Sequence, residues 1–141
     1  MKFLKNIKKK LSTKASIMRY KIKHHKIKKQ YDKNFGNKQN PLIYGEDERG
    51  YGRSTIIVKD AIKRNLPIMV PTRAQGKHLQ SLAELEHGKV EFYYPDKNFV
   101  KGKKLEVLFD GDYDTFHFCC ENNITILNGF MFIRRHYRWN N

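Results

Sequence analysis

Acidic residues are nearly missing from the first forty positions, where 13 Lys and one Arg stand against the single acid Asp32, a net of +13 in a chain whose total is +15. Cysteine is as scarce, with only Cys119 and Cys120 present. Neighbours in sequence rarely meet the geometry of a disulfide, which excludes a secreted disulfide scaffold and leads us to expect a reducing, intracellular, cytoplasmic setting. No stretch approaches the ~20 consecutive apolar residues of a membrane span. Lysines interrupt the apolar residues at the N-terminus before the core of a signal peptide can form.

What is present suffices for one modest core: 141 residues, 39% of them hydrophobic and 13% aromatic. The charge divides the chain into a basic amphipathic arm and linker over residues 1–40 and a nearly neutral body over residues 41–141.

In the arm, Phe3, Leu4, Ile7, Leu11, Ala15, Met18 and Ile22 recur at steps of three and four, drawing one apolar stripe along a helix whose other faces carry lysine. Such a helix neutralises phosphates on nucleic acid, lies on an anionic membrane or acidic protein, or packs its stripe onto the body. Nucleic acid is the leading expectation, through Lys8, Lys9, Lys10, Lys14, Arg19, Lys21, Lys23, Lys26, Lys28 and Lys29. Lysine acts as a point charge, so binding of that kind would be tolerant of sequence and strongly dependent on salt. The stripe has few large residues and no Trp, which argues against deep insertion into a bilayer.

The body alternates apolar runs with helical spacing. LIYG reads as a strand, a helix follows from an N-cap at Ser54 or Thr55 to a stop at Asn65, and PIMV reads as a buried parallel strand. Thr72 caps a second helix that ends near Gly88; VEFYY and LEVLFDGDYD supply further strands, and NITIL and FMFIRR close the chain as strands or as one long strand. This order predicts a small three-layer α/β fold with a mostly parallel sheet and a helical N-terminal arm.

Between the first strand and the first helix of the body lies DERGYGRST, residues 47–55. Gly50 and Gly52 allow backbone angles that a Cβ resists, and amides at the start of a helix attract anions. The stretch resembles the Walker A motif of P-loop NTPases, G-x-x-x-x-G-K-[ST]: Gly52 and Ser54 match, Arg53 replaces the lysine, and Asp47 replaces the first glycine. The resemblance implies nucleotide contacts from Gly50, Tyr51, Gly52, Arg53, Ser54 and Thr55, with ATP and Mg²⁺ as ligands. It further implies Mg²⁺ ligands at Ser54 and, at the end of the Walker B-like LEVLFD, at Asp110, with Asp112 as the nearest catalytic carboxylate. Asn128 stands where some families carry a sensor residue, though Asn128-Gly129 is also a strong hairpin signal. Arg134 and Arg135 are candidates for arginines acting across a subunit interface. Arg53 keeps the charge without lysine's compact ammonium, and Asp47 brings negative charge towards the phosphate path, so hydrolysis is expected to be weak or absent. The small size, Lys/Ile/Asn-rich composition and degenerate loop suit an accessory protein of a phage or mobile element. The rival reading is a non-enzymatic binding module in which GYGRST is only a structural or phosphate-contacting turn.

Asp110, Asp112, Asp114 and Glu121 fall at positions 1, 3, 5 and 12 of an EF-hand-like loop, but Thr115 holds the place that requires Gly. An acidic turn between strands is the better expectation. His117, Cys119 and Cys120 lack the spacing of a zinc site.

Overall fold

The computed structural model describes residues 2–36 and 40–134. Its elements in chain order are α1 (Lys2–Asn34), β1 (Leu42–Tyr44), a 3₁₀ turn (Glu46–Glu48), α2 (Arg53–Arg64), β2 (Ile68–Met69) and α3 (Arg73–Leu85). These are followed by β3 (Phe92–Tyr93), the short α4 (Lys97–Val100), β4 (Glu106–Asp112), α5 (Tyr113–Glu121) and β5 (Thr125–Phe132). All strand pairings are parallel, in the order β1-β5-β4-β2-β3. Parallel strands need covered faces. One core layer joins Ile56, Ile57, Val58 and Ala61 of α2 and Leu79 and Ala83 of α3 to the sheet, with Ile27 and Tyr31 of α1 in the same cluster. The other packs Val100 and Cys119, from α4 and α5, against Met69, Val107, Phe109 and Ile126. The result is the expected three-layer α/β architecture.

Local chemistry explains most boundaries. Asn65 stops α2 in the left-handed conformation, at φ 54°, and its amide reaches back to Ala61 O and Ile62 O. Thr72 caps α3 as expected, its hydroxyl accepting from Gln75 N at 3.2 Å. The cap of α2, in contrast, is Gly52 and neither Ser54 nor Thr55, because the chain turns left-handed at Gly52 (φ 82°) and is already helical at Arg53.

Two further expectations are corrected. The segment read as an acidic turn between strands is helix α5, begun by Asp112, whose Oδ1 accepts from both Thr115 N (2.9 Å) and Thr115 Oγ1 (2.7 Å). Asn128-Gly129 forms no hairpin turn and lies inside β5. Its register against β4 slips at Val107/Leu108, where Ile126 and then Asn128 are paired and Leu127 is passed over. Next to this bulge the strands approach so closely that a Cβ on Gly129 (φ 150°) would lie 2.0 Å from Phe109 O.

The arm is one helix, and its C-terminal part belongs to the body. Ile27 and Tyr31 are buried, Tyr31 Oη donates to Asp60 Oδ2 at 2.6 Å, and the ring stacks on Phe130. Every residue from Lys2 to Lys23 is exposed, so the stripe of Leu4, Ile7, Leu11, Met18 and Ile22 is not packed onto the body. Among the described residues, no helix is long and apolar enough to cross a membrane.

Candidate functional site

Crossovers carry the chain from β1 to β2, on to the edge strand β3, then back to β4 and β5. The direction of travel reverses between β2 and β4. In open parallel sheets a crevice forms at such a switch, outside the carboxyl ends of the strands. α3 and α5 follow closely on the carboxyl ends of β2 and β4, and α2 follows β1 after the 3₁₀ turn and the glycine loop, so their positive ends gather at this edge.

A cleft of about 490 Å³ occupies the place. Tyr44 from β1, Thr72 and Gln75 from the start of α3, Asp110 from β4, and Arg49 from the glycine loop are among its walls. Asp110 is 5% exposed and its Oδ2 accepts from Gln75 Nε2 at 2.9 Å. Burial pushes its carboxyl above the ordinary carboxylate range, against the pull of Gln75 and His78. Arg49 lies with its guanidinium 4.1 Å from the centre of the Phe132 ring, placing a cation on the cleft wall opposite in charge to Asp110.

The loop itself has the geometry that its glycines suggested. Gly50 (φ 84°) and Gly52 (φ 82°) are both left-handed and lead into the first turn of α2. Arg53, however, points back into its own loop. Its Nη1 donates to Glu48 O, its Nη2 lies 3.3 Å from Glu48 Oε2, and its guanidinium rests 4.3 Å above the Tyr44 ring. Burial lowers the Arg53 pKa, with Glu48 opposing, and raises that of the Tyr44 hydroxyl. The guanidinium is thus engaged within its own loop, by Glu48 and the Tyr44 ring.

Gly52 is covered from outside. A Cβ there would stand 2.5 Å from His24 Nδ1 and 2.7 Å from Tyr20 Oη, both on α1. His24 Nδ1 donates to Tyr51 O at 2.8 Å, and Lys23 Nζ sits 4.7 Å from the centre of the Tyr51 ring. The arm and the glycine loop are one contiguous surface.

The structure therefore brings together some of the expected residues and separates others. Asp110 and Asp112 line the cleft; Gly50, Tyr51, Gly52, Arg53, Ser54 and Thr55 do not, and Arg49 is the loop's representative there. Asp112 Oδ1 is spent on capping α5. Asn128 is turned away from the cleft, its amide bonded to Tyr31 O, Asn34 Nδ2 and Gly129 N, so it takes no sensor position. Arg134 lines the cleft, and Arg135 lies outside the described residues. The EF-hand-like acids form no loop, since Asp114 and Glu121 lie on α5, and no group of three or more His, Cys, Asp or Glu that could hold a metal occurs among the described residues. Of the basic residues on the arm, Lys28 pairs with Asp32 at 3.5 Å. Gln75 had not been expected at the site; nothing in RAQGKHL distinguishes it from any exposed glutamine on a helix.

No family model, curated protein or solved structure matches this chain.

Proposed function

We propose that the protein binds a nucleotide at the glycine loop and the adjoining cleft, with weak or absent hydrolysis, and that the basic arm holds it to a polyanion. One observation carries this reading: β1, the left-handed pair Gly50 and Gly52, and the N-terminus of α2 stand beside a cleft at the carboxyl ends of parallel strands, with Asp110 in its wall. Such an edge supplies amide donors and helix dipoles for phosphate and a walled space for the rest of the ligand. Arg53 is the charge a phosphate would meet once it displaced Glu48.

Magnesium suits so sparse a set of ligands, because it binds through one or two carboxylates together with the phosphates it accompanies. Of the two expected ligands, Asp110 lines the cleft and would hold the ion, whose charge would offset that of phosphate, whereas Ser54 in the first turn of α2 lies outside the cleft lining. Turnover has little support in the side chains themselves. Asp112 is committed to a helix cap, and Asp110 is buried, bonded to Gln75 and pushed towards protonation.

The second reading, a structural turn in a non-enzymatic binding module, draws on the same loop. Arg53 and Glu48 satisfy each other, and Tyr20 and His24 close over Gly52. Titration of ATP with Mg²⁺, followed by thermal shift, separates the two. The nucleotide reading expects wild type to be stabilised and Arg53→Ala to lose most of that effect. The absence of any shift in wild type up to millimolar nucleotide overturns it.

A further inference from the structure

Helix α1 has two apolar faces, and the body uses only one. The face turned to the body carries Tyr20 and His24, which meet Tyr51 and Gly52 while Tyr20 stays exposed, and the buried Ile27 and Tyr31, which join the core. Nine positions before each of them stands a member of the sequence's apolar stripe: Leu11, Ala15, Met18 and Ile22. Nine residues are two and a half turns at ~3.6 residues per turn, so each pair points in opposite directions. The stripe therefore faces directly away from the body, and Leu4 (63%), Leu11 (61%) and Met18 (64%) are largely open to water.

The borders of the stripe are cationic. At about 100° per residue, Lys10, Lys14 and Lys21 run along one side of it, and Lys8, Arg19 and Lys26 along the other. An apolar strip between two rows of cations is the cross-section of a helix lying in the plane of a membrane interface, with side chains such as Phe3 and Leu4 in the acyl region and the lysines at headgroup level. We propose that α1 binds an anionic lipid bilayer through this face, holding the body on the surface.

Charge selects among occupants. A second copy would set lysine rows against lysine rows, which like-charge repulsion disfavours. Nucleic acid, the expectation from charge alone, would use the lysines and leave the stripe in water. An anionic bilayer uses both. The helix does not cross it, since no described helix is long and apolar enough.

Co-sedimentation of the full chain with vesicles tests this. Wild type is expected to bind vesicles of phosphatidylcholine mixed with phosphatidylglycerol and to bind pure phosphatidylcholine far more weakly. The double variant Leu11→Ser, Met18→Ser keeps every charge and touches no packed residue; it is expected to weaken binding by about tenfold or more, with an unchanged melting temperature. Lys14→Gln with Lys21→Gln is expected to weaken it as well, and raised salt to weaken wild type only in part. Failure to bind the anionic vesicles, or equal binding by wild type and the serine variant, overturns the proposal. So does tight binding to a DNA or RNA oligonucleotide that survives the serine substitutions and outcompetes the vesicles.

Discussion

Asn128 Nδ2 donates to the backbone carbonyl of Tyr31 at 2.7 Å, tying the middle of β5 to the last turn of α1. The final carbonyls of a helix have no partner within it, and Asn128 supplies one from across the fold. Its Oδ1 meanwhile accepts from Asn34 Nδ2 and Gly129 N. Asn128→Leu should cost about 2–3 kcal/mol, because it leaves those polar groups buried and unpaired. Urea denaturation followed by circular dichroism checks it, with a lower midpoint and an unchanged slope.

Gly129→Ala should be more damaging. The added methyl meets the backbone carbonyl of Phe109 on the neighbouring strand, where no side chain can rotate aside. A loss above about 3 kcal/mol is expected, as for other severe overpacking and backbone conflicts. Gly50→Ala is the control, since that position has the same kind of left-handed φ with open space around it, and should cost only about 1 kcal/mol.

Asp110 gives a pH dependence with a definite sign. Its carboxyl is raised in the folded state, so the folded protein holds this proton more tightly than the unfolded chain does. The group's contribution is most favourable below its unfolded pKa and is lost as pH rises through the folded one. Asp110→Asn keeps an acceptor for Gln75 and removes the charge. At neutral pH it should melt higher than wild type, and the gap should close as pH falls into the carboxylate range.

The two cysteines should behave differently despite being adjacent. Cys119 is buried and its thiol is pushed up to about 12, whereas Cys120 is exposed. A disulfide reagent at neutral pH should label one thiol quickly in the native protein and both in denaturant. Rapid labelling of both without denaturant would show that the α5 layer opens readily.

Within the nucleotide reading, Glu48→Ala should tighten ATP binding several-fold, worth about 1 kcal/mol, because it removes a partly exposed competitor for Arg53. Isothermal titration on wild type and variant measures it; weaker binding by the variant would mean that Glu48 supports the site.

Where the chain carried its own local instructions, the sequence was readable. The Asn65 stop and the Thr72 cap are each decided by a single residue acting on its neighbours. Asn128-Gly129 misled because a hairpin signal is local, whereas parallel pairing with β4 is not; β5 runs straight through, and the glycine serves a close approach between strands. Helix α5 was missed because its nine residues are rich in aromatics and cysteine, which favour strands, and only the cap at Asp112 argued for a helix. The stripe on α1 was visible, but which face would meet the body depended on Tyr20, His24, Ile27 and Tyr31, whose spacing is equally helical and half polar. The inward turn of Arg53 was not legible at all, since it depends on where Glu48 O and Tyr44 lie in space.

The position of β5 also sets the order in which this protein comes into being. Among the described residues, Leu42–Tyr44 has β5 as its one neighbour in the sheet, Leu42 pairing with Phe130, and Gly36 N and Tyr31 O both find their partners on that same strand. In chain order α1 and β1 precede β5, so neither is joined to the sheet through β5 until that strand has formed. The β2-β4 half is the portion that is able to close early. Until residues 125–132 are in place, the basic helix has its contacts with α2, where Tyr31 Oη donates to Asp60 Oδ2, but lacks its partners on β5.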